Sequence, residues 1–465
     1  MTNRKAWSAI ALAVIAWVVL TALIAASILF IALRWGKDGF EIFVQQGVFT
    51  HLPITLASVA ITWLLTGLLL YLLYARRINA ANALTWIGFF LVSLVYLNVL
   101  RERFRYGDIS YYIDAATQLY KNQPLPDTYF YPPLWATLIE FIIPLGEDNI
   151  LLMAWLLNIL SLFAFYFLLH RVLEYYGFSM RLAALTTAGF MLVNAPLLRA
   201  LVYVQVNLHV MNLIFLGLLS FQRFPFFSAL SMALAVHLKA SPVVLVPAFL
   251  MVSNWRWLGW FILSNLLVAA ITVVTNGFSP FLDFVQNITA LTAPHDSIFH
   301  DTSFDSLLHF PTQVFPFPDS LARVLVYGAK GILLMAVVMV LVRTVRTHVF
   351  LPDASQTARL FNAMPPLFIL MTLASPVVWE HHAIFTTLSF LLVLKVLNKR
   401  SEWLWFGFAY VLEFVLPTFD FFPWSYGRLI APLIVLWLMW RAEGNTIIPR
   451  LNLWLERIQP ITQVE

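Results

Sequence analysis

From residue 7 to residue 441 the chain is a succession of apolar stretches separated by short polar breaks, and a dozen of them are candidate membrane spans. Crossing the ~30 Å hydrocarbon core takes about 20 mainly apolar residues. The candidates lie near 7–33, 53–74, 83–100, 149–169, 181–198, 205–221, 256–275, 321–343, 360–375, 381–397, 402–417 and 427–441. The first is too long for the core of a signal peptide and lacks a convincing cleavage site, so it reads as a retained helix. With 61% hydrophobic and 11% charged residues, a soluble domain of this size could not cover its own surface. The net charge of +5 is then no sign of nucleic-acid binding. In a membrane protein, excess Lys and Arg mark cytoplasmic loops and headgroup contacts. There are no cysteines, which excludes disulfides, Cys-ligated zinc and thiol catalysis. The expected fold is all-α, a polytopic integral membrane protein of about twelve transmembrane helices.

One stretch breaks the pattern. Residues 225–253 form two apolar pieces of about a dozen residues each, interrupted at His237-Leu238-Lys239-Ala240-Ser241-Pro242. Neither piece can cross a bilayer, and Pro242 disrupts a continuous helix. The stretch is either one kinked crossing or a re-entrant hairpin, and charge parity separates the two. With a cytoplasmic N-terminus and a returning 225–253, sixteen Lys and Arg fall inside and eight outside, the bias expected of cytoplasmic loops. A full crossing would carry nine of the sixteen outside, so the broken return is preferred. Both termini are then cytoplasmic, and polar segments near 101–133 and 276–320 lie on the non-cytoplasmic face. No internal repeat of the kind found in many transporters is evident.

Four places could carry chemistry. Asp108 stands where the chain leaves a span, positioned to accept a proton from a hydroxyl at the lipid–water boundary; it could equally cap the helix that follows. Asp114 lies six residues on and reads as support or cap. Tyr112 and Tyr131 offer hydroxyls and stacking faces of the kind sugars need. Gln205, Asn207 and His209 place polar groups at membrane depth, which serves either function or helix association. Lys239, in the middle of an apolar stretch, needs an anion or a partner; free N–H groups of the broken helix beside it would suit a phosphate, and a structural ion pair is the alternative. His381 and His382, between two spans and next to Glu380, could hydrogen-bond a phosphate or form an interfacial polar turn; paired histidines alone lack metal-ligand spacing. The acid and histidine residues at 295–309 could suggest a metal, though a solvated loop accounts for them as well, and no metal site is assigned.

In this order, Asp108 with Tyr112, Tyr131-Pro132-Pro133, Gln205-x-Asn207, Lys239-x-x-Pro242 and Ser375-Pro376-x-x-Trp379-x-His381-His382 resemble the integral membrane glycosyltransferases of family 87, which have the GT-C fold. The resemblance covers about residues 95–440. It implies a polyprenyl-phosphate sugar as donor, with mannose the expected sugar, and no other cofactor. It maps the catalytic base onto Asp108 and the region near the sugar phosphate onto His381 and His382. Two departures stand out: Val204 precedes the glutamine where the family often has glycine, and two spans precede the one that leads to Asp108.

The expected organisation is therefore N-terminal transmembrane helices over 1–82, a GT-C-like catalytic domain over 83–441 and a cytoplasmic tail over 442–465. The expected function is inverting transfer of a sugar to a glycolipid or glycan acceptor on the non-cytoplasmic side of the cell membrane. Asp108 would be the base, and Tyr112, Asp114, Tyr131, Gln205, Asn207, Lys239, His381 and His382 the substrate-binding residues. The partners are the lipid-linked donor, the acceptor and membrane lipids, with no nucleic acid. A transporter or flippase of a lipid-linked sugar is the alternative; it would share the membrane setting and the buried lysine but has no need of Asp108 facing the histidines.

Overall fold

The structure is a computed structural model. It describes residues 63–72, 77–103, 107–252, 254–291, 301–314, 318–353, 355–416, 418 and 424–442, with single residues between 14 and 22 and at 75, 452 and 455. The described residues are helical or irregular, with no strand among them. Three described helices are by themselves long and apolar enough to cross a membrane: Glu147–Tyr175, Trp255–Asn276 and Ser320–Arg346. This is fewer than the dozen expected. The expected spans at 7–33 and in the first part of 53–74 lie largely outside the described residues, and two others are interrupted by breaks that hydropathy does not register. The 181–198 stretch ends one helix at Leu192, and Asn194 caps a new one by accepting the N–H of Leu197. The 381–397 stretch opens as a 3-10 turn, Glu380–Thr386, before a short α-helix, Thr387–Val393.

Contacts divide the chain into two compact units, one of residues 1–104, 178–192 and 450–465, the other of residues 105–177 and 193–449. In the first, helix Ala80–Arg103 packs along Met180–Leu192, and the Tyr96 hydroxyl donates to the Met191 carbonyl at 2.5 Å. The second unit holds every candidate site residue. Its core includes a stack in which the Trp257 ring lies 4.0 Å from Phe249 and 5.1 Å from Phe261. The Trp257 indole N–H donates to Ser228, whose hydroxyl donates to the Gly217 carbonyl, so one chain of bonds joins three helices. A Cβ on Gly217 would meet the Met232 side chain at 3.1 Å. Close approach at small residues is how helices associate where lipid removes the hydrophobic drive.

The 225–253 stretch is broken as its sequence predicts. Helix Pro225–Leu238 stops at Lys239, which is extended (φ −154°, ψ 129°), and the chain continues through a 3-10 turn, Ser241–Leu245, into Val246–Met251. The two polar segments fold onto one another: Asp283 accepts the Leu125 N–H at 3.0 Å, and the Asn287 amide donates to the carbonyls of Pro126 and Tyr129. Helix Ile109–Tyr120 buries Ile109, Tyr112, Ile113 and Ala116 as its periodicity predicts, but leaves Tyr120 exposed. Its buried face packs on protein, in a cluster with Tyr129, Ile139, Val204 and Val206.

Candidate active site

Asp108 is placed by main-chain contacts. Helix Ala195–Val202 ends with the Val204 N–H bonded to the Leu201 carbonyl and the Gln205 N–H to the Ala200 carbonyl, the pairing of a Schellman turn. The residue that makes this turn, Val204, has φ +53° in the left-handed region. That backbone costs an L-residue roughly 1–2 kcal/mol and is usually given to glycine; here the side chain is buried in the cluster around Tyr112, which offsets it. The Tyr203 carbonyl, left free at the turn, accepts the Asp108 N–H at 3.1 Å. Gly107 lets the strands of chain approach this closely: a Cβ there would lie 2.7 Å from Tyr203 Cα and 2.8 Å from its carbonyl oxygen. Asp108 stands at the start of helix Ile109–Tyr120, yet its carboxylate makes no capping bond. The carboxylate is therefore free of the helix. Burial pushes its pKa up to about 6, opposed in part by the nearby Lys239 ammonium.

On the other side of the turn, Gln205 is fully buried and its Oε1 accepts the hydroxyls of both Tyr112 and Tyr131, at 3.3 Å each. The Gln205 amide nitrogen, like the Trp135 indole nitrogen, is buried without a bonded partner. Trp135 packs edge-on against Tyr112 and lies 6.0 Å from the His209 ring, whose Nδ1 meets the Ser161 hydroxyl at 2.8 Å. The two tyrosines meet edge to face with centroids 5.1 Å apart.

Lys239, Asn207 and the histidines converge. The ammonium donates to Asn207 Oδ1 at 2.9 Å and lies 2.7 Å from His382 Nε2, while the Asn207 amide donates to the His381 carbonyl at 3.3 Å. The rings of Tyr131 and Phe385 each lie 5.5 Å from Nζ. His382 Nδ1 faces the Trp379 N–H at 3.0 Å. The ammonium carries three protons, the neutral imidazole one and the Trp379 amide one, while the acceptors are Asn207 Oδ1 and a single imidazole nitrogen. Whichever tautomer His382 adopts, this group has more donors than acceptors.

The turn that carries the histidines is pinned from the second polar segment. Asp301 Oδ1 accepts the N–H groups of Val378 and Ser303, and Thr302 donates through both its amide and its hydroxyl to the Val378 carbonyl. Asp305 pairs with Lys330, and His309 Nδ1 bonds the Asp305 carbonyl. Among the described residues no three His, Asp or Glu side chains are grouped to hold a metal; His295, Asp296 and His300 lie outside the described residues.

A cavity of about 230 Å³ opens beside Asp108, lined also by Arg199, Tyr203, Trp379, Glu380 and His381. Glu380 is held by Arg428 at 3.5 Å and by the amide and hydroxyl of Thr418, which also lines the cavity. Asp108 and His381 thus share one wall-to-wall space, and Lys239 lies within electrostatic reach of both. Asp114 stands apart from them, on the exposed face of its helix opposite Tyr112. Sequence reasoning did not single out Arg199, Tyr203, Trp135 or Glu380 as site residues. The only signal for Glu380 was its place beside the paired histidines, and Arg199 had registered merely as a charge between spans.

The family model described as Glycosyltransferase family 87 matches residues 129–376, more than half of the chain. The match takes in Tyr131, Gln205, Asn207 and Lys239 and stops short of the histidines; Asp108 lies before it. No curated protein and no solved structure matches the chain.

Proposed function

The chain belongs to glycosyltransferase family 87, and on that premise we propose that it transfers a hexose, mannose in our reading, from a polyprenyl-phosphate carrier to a hydroxyl of a glycolipid or glycan. The observation that carries the phosphate-linked donor is the surplus of N–H donors where Lys239, His382 and the Trp379 amide meet. Polar hydrogens without acceptors are costly away from water, and an anionic oxygen would take them up. Asp108 shares a cavity with His381 and lies within reach of the Lys239 charge, which supports placing acceptor and leaving phosphate close together.

Asp108 accepts the proton of the acceptor hydroxyl as its oxygen bonds to the anomeric carbon. The bond from that carbon to the phosphate oxygen breaks, and the electron pair leaves on the phosphate. Attack from the face opposite the phosphate inverts the anomeric centre. Lys239, His381 and His382 stabilise the charge that develops on the leaving group; Tyr131 faces the sugar while the buried Tyr112 and Gln205 hold that tyrosine, and Asn207 holds the lysine in place. This scheme draws on no nucleotide and no metal. The reaction occurs on the non-cytoplasmic face of the cell membrane, with both termini inside, as the charge bias implies. The transporter reading gains no observation of its own, and the family is one of transferases.

The test is incubation of the purified, reconstituted protein with radiolabelled polyprenyl-phosphate mannose and a total lipid extract. Label should pass to a new product. Label that crosses the bilayer still attached to its carrier, with no product formed, would refute the transferase reading.

A further inference from the structure

We propose that Arg199 is an anion-binding residue of the Asp108 cavity and takes a phosphate oxygen there, an inference that rests on the phosphate-linked transfer described above. Arg199 lies in the last turn of helix Ala195–Val202, with its guanidinium 4.7 Å above the ring of Tyr203. Stacking of this kind fixes the plane of the guanidinium while leaving its N–H edges available. Among the described residues its guanidinium makes no hydrogen bond or ion pair.

Arg428, which holds the cavity residues Glu380 and Thr418, is already engaged. It donates to Thr418 and to the carbonyls of Leu416 and Glu413 and pairs with Glu380; Lys239 is held between Asn207 and His382. Among the described residues that line the cavity, Arg199 brings an unspent guanidinium fork to a space that also holds the base and His381. A guanidinium edge matches two oxygens of a phosphate, which a sugar hydroxyl cannot reproduce. Its placement is also coupled to the base, because the residue it stacks on is the one whose carbonyl accepts the Asp108 N–H. The phosphate can be that of the sugar donor or that of a membrane lipid headgroup at the cavity mouth, and the two sources separate experimentally.

Initial rates of transfer from polyprenyl-phosphate mannose are measured for the full-length wild type, Arg199→Gln and Arg199→Lys in phosphatidylcholine vesicles. Free polyprenyl phosphate serves as competing product, and each series is repeated with phosphatidylglycerol added. If the donor supplies the phosphate, Arg199→Gln raises the donor KM and weakens inhibition by polyprenyl phosphate roughly tenfold or more, with kcat much less affected, and Arg199→Lys recovers part of the loss. If a headgroup supplies it, donor KM holds, and the wild-type response to phosphatidylglycerol disappears in Arg199→Gln. Either result supports the assignment. A Gln variant equal to wild type in donor KM, product inhibition and lipid response overturns it. Asp108→Asn run in parallel keeps the failures apart: near-normal turnover there removes the transfer mechanism itself, whatever Arg199 does.

Discussion

Lys239 Nζ lies 2.7 Å from His382 Nε2, although 143 positions separate the two residues in the chain. Between them they join the broken 225–253 stretch to the Glu380–Thr386 turn, and among the described residues neither has a carboxylate as its hydrogen-bonding partner. Lys239→Met should therefore raise the KM for the polyprenyl-phosphate donor more than it lowers kcat. It should have a second effect as well. The ammonium lowers the pKa of Asp108, so its removal lets that value climb and moves the acid limb of kcat/KM to higher pH. A variant that merely loses thermal stability, with donor KM and pH profile intact, would make Lys239 structural.

The proposed base, Asp108, carries its own pH signature. A base must be ionised to work, and burial holds Asp108 near a pKa of about 6. Activity should be full above that value and fall as pH drops through it, with a slope of one proton. Asp108→Asn keeps the shape but cannot accept a proton, and the expected loss in kcat is about 10²–10⁴-fold. Asp114→Asn, on the exposed face of the same helix, should retain most activity. The reverse ranking of the two variants would put the base in the wrong place.

Gly107→Ala tests whether main-chain approach positions the base. The added methyl would meet Tyr203 backbone atoms at 2.7–3.0 Å, and neither segment can yield without moving Asp108. Transfer should fall at least about tenfold, a loss that small misplacements routinely produce, while donor binding measured separately changes little. Equal activity in the alanine variant would show that the loop tolerates displacement.

Asp301→Ala should uncouple the histidine turn from the second polar segment. It strips acceptors from the amides of Val378 and Ser303, and an unsatisfied buried group costs about 1–3 kcal/mol. Asp301→Asn keeps one carbonyl oxygen for those amides and should be milder in both melting temperature and donor KM. If both variants match wild type, the turn is held by other means.

The orientation in the membrane can be read by thiol labelling, because the native chain has no cysteine to interfere. An impermeant reagent added to intact cells should label Asp114→Cys and spare Arg171→Cys, whose position is exposed but assigned to the cytoplasmic side. Labelling of Arg171→Cys alone would invert the topology.

What the sequence disclosed follows from cost. Lys239, Gln205 and Asn207 stand out because polar groups in apolar stretches are expensive, and Asp108 because it follows a span directly. The break at Lys239 was legible from Pro242 and from the shortness of its flanking pieces. Other breaks were missed. The break after Leu192 carries a signal in Asn194 and Pro196, but a hydropathy window reads through it, as it reads through the 3-10 turn at 380–386 as though it were α-helix. Arg199 and Glu380 escaped notice because charges near span ends are ordinary; only the cavity distinguishes them. The role of Asp301 was hidden for the opposite reason. Its neighbours in sequence suggested a ligand cluster, whereas its partners, the amides of Ser303 and Val378, are backbone groups that no side-chain motif encodes.

The turn at 203–205 has, at Tyr203, a carbonyl that holds Asp108 and, two residues on, the glutamine that gathers Tyr112 and Tyr131. Asp108 and the glutamine are thus tied to one short turn, like two jaws cut from one piece of metal. A tilt of helix Ala195–Val202 would carry both together and leave their spacing intact. A residue inserted at this turn would instead rotate one against the other, and no adjustment elsewhere in the bundle could bring the jaws back into line.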